Sequence, residues 1–280
     1  MMPFRRFSIH QPQGITEAAD MLRHYGEKGA LYAGGTEILL AMKHDLLRYE
    51  HLVDVKTIPG LNKIELQDSY LKIGATATHQ AVERSSLVRE HAPVIAGMAA
   101  RIANVRVRAT GTLGGNLCFA EPHSDPATLF LSLEARARIH GRAGEKTLAV
   151  DEVIAGAYET ALGSVELLTA IEVPIAAESQ RAAYLKFQIH ERPLLGLALV
   201  LDLDDGANVI RKARAAVGSV SPRPCRSDKA DELLLGPIEK VERQLADAGD
   251  ALADAAELVD DLEGGADYKR NLIRVFLRRA

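Results

Sequence analysis

At 280 residues the chain is long enough for a substantial core and for two or three small domains, and its 47% hydrophobic and 26% charged content is ordinary for a globular protein. A net charge of −4 gives no general attraction to nucleic acid or to an anionic membrane, and the absence of tryptophan argues against a base-stacking platform. No apolar run reaches the roughly 18 residues of a membrane span, and residues 1–10 carry two arginines but no apolar h-region, so no signal peptide is read and a cytoplasmic location is expected. Two cysteines, Cys118 and Cys225, are too few for the usual four ligands of an iron–sulfur cluster. The nine histidines are scattered without HExxH or CxxC spacing, so no metal site is expected and any redox chemistry calls for an organic cofactor.

Residues 8–12 (SIHQP) read as a short strand entering a turn. An amphipathic helix follows from Thr16, a suitable N-cap, to about Tyr25. A strand over 30–33, a helix over 37–43 and a strand over 51–55 continue the alternation, which suggests a small parallel sheet covered by helices. From Gly60 the pattern changes to short strands over 70–73, 113–117, 135–140, 146–149 and 167–173, with helices over 79–84 and 93–103. That is the pattern of a predominantly antiparallel second domain. Pro174 and the polar stretch 176–180 mark a boundary. Strands over 182–188, 195–202 and 210–218 come next, then helices over 228–235, 238–262 and 267–280. The expected division is 1–56, 57–176 and 177–280, with no internal repeat.

Two glycine turns stand out: Tyr32-Ala33-Gly34-Gly35-Thr36-Glu37 and Gly111-Thr112-Leu113-Gly114-Gly115-Asn116. Paired glycines allow positive φ and close approach of a ligand, and successive free N–H groups form an anion-binding concavity. Each alone reads equally well as an ordinary tight turn. Two together, without a Walker A lysine or GxGxxG, suggest a diphosphate gripped from two sides by neutral donors.

Residues 31–42 (LYAGGTEILLAM) and 109–125 (ATGTLGGNLCFAEPHSD) resemble the FAD-binding medium subunit of molybdenum hydroxylases, a family that includes the carbon monoxide dehydrogenase medium subunit and the FAD domain of xanthine dehydrogenase. Weaker matches at 166–174, 184–187 and 268–280 extend the resemblance nearly end to end. It implies an α+β protein with the FAD-binding fold of the vanillyl-alcohol-oxidase-like type. A small parallel βα part and an antiparallel part would be followed by a C-terminal α+β domain.

By the same resemblance Leu31, Tyr32, Ala33, Gly34, Gly35, Thr36, Glu37, Thr112, Gly114, Gly115 and Asn116 lie against FAD, although Leu31 and Tyr32 could be simple strand packing. Asp125 matches an aspartate at the nucleotide end, a suitable acceptor for ribose hydroxyls. From its residues alone it could equally cap the helix starting near Pro126, a role Ser124 could also fill. Lys186 matches a lysine near the flavin ring, where a cation would stabilise negative charge on reduction, though a strand lysine usually faces solvent. Leu168 would pack against the adenine or the ring system, or else serve the core as a strand residue. Where the family places an Asp-aromatic-Ala stretch, this chain has Glu191-Arg192-Pro193, leaving open what shields the flavin face. His123 and His190 receive no catalytic role.

The function implied is an electron-transfer subunit. Molybdopterin would sit on a large partner chain and 2Fe-2S clusters on a small one, in a dimer of heterotrimers. The alternative is a self-contained flavin oxidoreductase acting on a small substrate.

Overall fold

The computed structural model describes residues 5–189, 192–262 and 264–280, and the expectations on His190 and Glu191 lie outside them. Strands β1 (Ser8–His10), β2 (Gly29–Tyr32) and β3 (His51–Asp54) form a three-stranded parallel sheet in the order β1-β3-β2. Helix α1 (Ile15–Tyr25) buries Ala18, Ala19 and Leu22, one turn apart on a single face. It starts before Thr16: Gly14 is the N-cap, and the Glu17 carboxylate reaches back to the Gln13 N–H at 2.6 Å, so Thr16 sits inside the first turn rather than capping it. Between β2 and β3 the first glycine turn leads into α2 (Ile38–Lys43).

The middle of the chain carries a five-stranded antiparallel sheet in the order β4-β5-β10-β6-β7. Its strands are β4 (Ile64–Gln67), β5 (Tyr70–Gly74), β6 (Arg136–Gly141), β7 (Gly144–Ala149) and β10 (Leu167–Pro174). Between β5 and β6 lie α3 (His79–Arg84), α4 (Ser86–His91), α5 (Pro93–Ala99), α6 (Val105–Thr110), α7 (Leu113–Phe119) and α8 (Asp125–Ser132). After β7 come α9 (Val150–Val153) and the hairpin of β8 (Ile154–Gly156) and β9 (Glu159–Thr160).

The expected strand over 113–117 is the helix α7. Leu113 and Leu117, both 1% exposed, are spaced four apart as well as alternating, so they fit one buried helix face. Thr112 decides the matter by capping: its hydroxyl accepts the Gly115 N–H at 3.1 Å. The expected helix over 93–103 ends at Ala99, while β4 and α6 were not foreseen.

The C-terminal part is a second antiparallel sheet of β11 (Gln180–Gln188), β12 (Pro193–Leu203), β13 (Val209–Gly218) and β14 (Cys225–Arg226). Helix α10 (Asp228–Leu233) follows, and β15 (Gly236–Pro237) adds to β13. Helix α11 (Ile238–Ala255) stops short of the expected residue 262, and α12 (Ala266–Arg279) closes the chain. The alternation of strand side chains divides this sheet between two cores. Leu195, Leu197, Leu199, Ala215 and Val217 join the core under α11 and α12. Tyr184, Ala198 and Ala216 point the other way into the core of the middle sheet. Among the described residues no helix is long and apolar enough to cross a membrane.

Candidate functional site

A cavity of about 780 Å³, within the range of small-molecule sites, opens between α2, the start of α7 and the loop leading into β10. Leu31, Ala33, Gly34, Gly35, Thr36 and Glu37 line it from the first turn, and Thr112, Gly114, Gly115 and Asn116 from the second. Leu168 adds an apolar wall from β10. Tyr32 stands behind: its ring occupies the space a Gly35 side chain would need, at 2.6 Å, and carries the Lys56 ammonium 4.4 Å above its centre.

The two turns interlock. A Cβ on Gly34 would lie 2.6 Å from Gly111 Cα and even closer to the Thr110 carbonyl, so backbone touches backbone there. Gly114 is held in the same way against Ala75, whose Cβ would be 2.6 Å from an added methyl. Gly35 is the residue of the two pairs with positive φ, at +72°.

Their backbone donors differ. Among the described residues, the N–H groups of Gly34, Gly35, Thr36 and Glu37 donate to no protein acceptor. In the second turn the donors are taken: Leu113 N–H goes to the Ala77 carbonyl (2.9 Å), Gly114 N–H to the Ala75 carbonyl (2.8 Å), and Gly115 N–H to the Thr112 hydroxyl. The expectation that Gly114 and Gly115 offer N–H donors to a ligand is therefore corrected. This face of the cavity presents side chains instead. The Thr112 hydroxyl keeps its own proton to give. The Asn116 amide is oriented by Ser124, whose hydroxyl donates to Asn116 Oδ1 at 2.6 Å and so leaves the NH₂ end for the cavity.

Ser124 is also the N-cap of α8, accepting the Ala127 N–H at 3.1 Å, so the capping role left open for Asp125 falls to Ser124. Asp125 and Lys186 do not line the cavity. They face each other, each with a side chain 7% exposed, with Lys186 Nζ 2.9 Å from Asp125 Oδ2. Lys186 also donates to the Arg101 carbonyl at 2.7 Å, and the Tyr184 hydroxyl to Asp125 Oδ1 at 2.6 Å. Burial pushes the Asp125 carboxyl up from its ordinary range, against the pull of Lys186 and Tyr184. The group ties α8 to β11.

A charged cluster rims the cavity. Arg192 lines it and pairs with Glu121 and, at 3.9 Å, with Glu37. Glu121 accepts from His123 Nδ1 at 2.6 Å; burial acts upward on its pKa, but His123 and Arg192 hold it below the usual carboxylate value. Glu37 is raised, chiefly by burial. The sequence marked Arg192 only as a departure from the family pattern, and nothing in it pointed to Glu121. Phe119 and Tyr158, also on the wall, form an edge-on ring pair at 5.5 Å. Among the described residues no group of three or more His, Cys, Asp or Glu could hold a metal ion.

A family model described as the FAD binding domain in molybdopterin dehydrogenase matches residues 5–176, more than half of the chain. The chain belongs to this family. A second model, the CO dehydrogenase flavoprotein C-terminal domain, matches residues 184–280. Members of the family with similar sequences include the carbon monoxide dehydrogenase medium chain of Hydrogenophaga pseudoflava, 32% identical over 98% of this chain and 96% of that one. The nicotine 6-hydroxylase medium subunit of Paenarthrobacter nicotinovorans is 28% identical over 96% and 93%. The structure of the H. pseudoflava carbon monoxide dehydrogenase matches with a TM-score of 0.93 at 31% identity, covering all of this chain and 97% of that one. The mixed fold, with one parallel and two larger antiparallel sheets, is that of the FAD-binding medium subunit.

The residues present fit FAD. Four unpartnered N–H groups on one wall of the cavity are the donor set a diphosphate needs, and close-packed glycines keep side chains out of its path.

Proposed function

We propose that the chain is the FAD-binding electron-transfer subunit of a multisubunit molybdenum hydroxylase, taking electrons from iron–sulfur clusters on a partner chain and passing them to an external acceptor. The observation that carries the reading is the first glycine turn, whose free N–H groups at Gly34, Gly35, Thr36 and Glu37 line the cavity in a chain of this family. These donors would take the diphosphate, with the Thr112 hydroxyl and the Asn116 amide facing them. Leu31, Ala33 and Leu168 would supply apolar wall. Tyr32 would back Gly35. Gly114 and Gly115 would bring the start of α7 close. Asp125 and Lys186 would hold α8 in place and, through Ser124, the Asn116 amide. Bound there, FAD supplies one- and two-electron redox chemistry.

The expected partners are a large molybdenum-binding chain and a small iron–sulfur chain, paired as a dimer of heterotrimers in the cytoplasm. Supporting this, the similar carbon monoxide and nicotine enzymes name their counterparts medium chain and medium subunit. Two cysteines leave cluster ligation to another chain. We read the chain as three units, 1–56, 57–176 and 177–280, each built around one of the three larger sheets.

The test is the purified chain supplied with FAD. It should turn yellow, accept electrons from dithionite, and show no turnover of purine, aldehyde or carbon monoxide without partner chains. Substrate-dependent reduction by this chain alone would contradict the relay and favour a self-contained oxidoreductase.

A further inference from the structure

Between α5 and α6 the chain crosses the surface over residues 100–104, and this turn is clamped from several sides. The buried Lys186 ammonium donates to the Arg101 carbonyl at 2.7 Å. The Arg108 guanidinium donates to the Ile102 and Ala103 carbonyls at 3.0 and 3.2 Å and is itself held by Glu83 of α3 at 3.3 Å. Ile102 is anchored in the core of the middle sheet. The Asn104 side chain caps α6 by accepting the Arg106 and Val107 N–H groups at 3.0 and 3.2 Å. Ala103 is held at φ +40°, a left-handed conformation that a residue with a Cβ keeps only where its surroundings impose it.

This frame presents one apolar residue between two cations. Val105 is 57% exposed, with the exposed Arg101 and Arg106 before and after it in the chain. Among the described residues the guanidinium groups of Arg101 and Arg106 have no ion-pair partner, and neither does that of Arg84 on α3, which packs on α6. Residues 83–108 hold five arginines against two glutamates, in a chain whose net charge is −4. Arginine is enriched where proteins meet, and a rigid frame spares the ordering cost of binding. Permanent interfaces are broad and apolar; unpaired charge around a single exposed apolar side chain suits a partner that binds and leaves. The position says which partner. Helix α6 is six residues long, about 9 Å of rise, and it ends at Gly111, where the Thr110 carbonyl lies against Gly34. The patch therefore stands one short helix from the point at which the two glycine turns meet beside the cavity.

We propose that residues 101–106 are the docking surface for the external electron acceptor, and that this acceptor is a small protein with an acidic face. The inference rests on the relay reading above and names the class of acceptor. Arg101 and Arg106 pair with carboxylates of the acceptor, and Val105 makes the apolar contact between them.

The test is binding of two oxidised one-electron carriers, an acidic and a basic c-type cytochrome, to the full FAD-loaded chain. Contacts are mapped by NMR on the isotope-labelled chain, and affinity is measured by calorimetry. The acidic cytochrome should shift the amides of residues 101–106, and added salt should weaken it, because exposed charge pairs are screened. Arg101→Glu combined with Arg106→Glu should weaken it by about tenfold or more, and Val105→Asp should weaken it as well. All should keep wild-type FAD content and Tm, since none of these side chains is buried. Arg142→Glu, the same reversal at the exposed tip between β6 and β7, should leave binding unchanged. Equal weakening by Arg142→Glu, equal binding of the basic cytochrome, or no shift at residues 101–106 overturns the inference while leaving the relay in place. So does loss of the acidic cytochrome's binding once large and small chains are assembled on this one, which would give the patch to a permanent partner. A wild-type chain that takes up no FAD overturns the relay and the inference together.

Discussion

The two glycine turns look alike in sequence and do different work in the fold. In Gly34-Gly35 the chain leaves a parallel strand, takes φ of +72° at Gly35, and leaves its N–H groups without partners among the described residues. In Gly114-Gly115 the chain is already in the first turn of a helix, and every early N–H is bound to Ala77, Ala75 or Thr112. A Gly-Gly pair beside a threonine therefore does not specify an anion nest; the hydrogen-bond partners of its N–H groups do. On the proposed function the first pair would offer backbone to the ligand. The second brings a helix close and would offer the side chains of Thr112 and Asn116.

This contrast is broken most severely where the turns touch. Gly34→Ala would set a methyl group against the Thr110 carbonyl and 2.6 Å from Gly111 Cα, with only backbone to yield. We expect loss of FAD binding together with a fall in stability of several kcal/mol, on the order of the worst overpacking changes. In Gly115→Ala the new methyl meets only the Thr112 hydroxyl, at 2.7 Å, and the helix gains up to about 1 kcal/mol of propensity. FAD affinity measured on both variants should therefore fall far more for Gly34→Ala. Equal losses would mean that the two turns serve the ligand alike.

Next in size is Lys186→Met. It leaves the Asp125 carboxylate buried with the Tyr184 hydroxyl as its remaining side-chain partner, and breaking such a pair costs about 3–5 kcal/mol. Urea unfolding should show that loss, with a smaller change in FAD affinity than in Gly34→Ala. An unchanged urea midpoint with a lowered flavin reduction potential would instead put the lysine against the flavin, as the family resemblance implies.

A third effect belongs to His79, buried at the start of α3. His79 ionises near 6.5 when unfolded and at about 4 when folded, so the folded state refuses a proton that the unfolded chain accepts. Its contribution is complete above pH 6.5 and is lost as pH falls towards 4, amounting to about 3 kcal/mol across that window. Replacing His79 by Asn should flatten the pH dependence of the urea midpoint between those limits; an unaltered slope would remove His79 as its source.

Much of this was legible in the sequence, and the exceptions have physical causes. The parallel βαβ entry, the long strands of the C-terminal sheet and the place of the first turn follow from periodicity and glycine pairing. Residues 113–117 misled because Leu113 and Leu117 suit either period, and two glycines inside a helix run against propensity. Only the neighbouring Ala75 and Ala77 carbonyls reveal why the helix is tolerated there. Ile64 is the one apolar residue of β4 that packs against the core while Leu66 is exposed, too little pattern to stand out. The rim of Arg192, Glu121 and Glu37 joins three distant segments that only the fold brings together.

The central claim is that the first turn, and not the second, gives its backbone to the cofactor. Amide hydrogen exchange, resolved to single residues by NMR on the chain with and without FAD, tests it directly. The amides of Gly34, Gly35, Thr36 and Glu37 should exchange fast in the stripped chain and become protected on FAD binding. Those of Gly114 and Gly115 should be slow in both. New protection confined to Gly114 and Gly115, with residues 34–37 unchanged, would contradict the account.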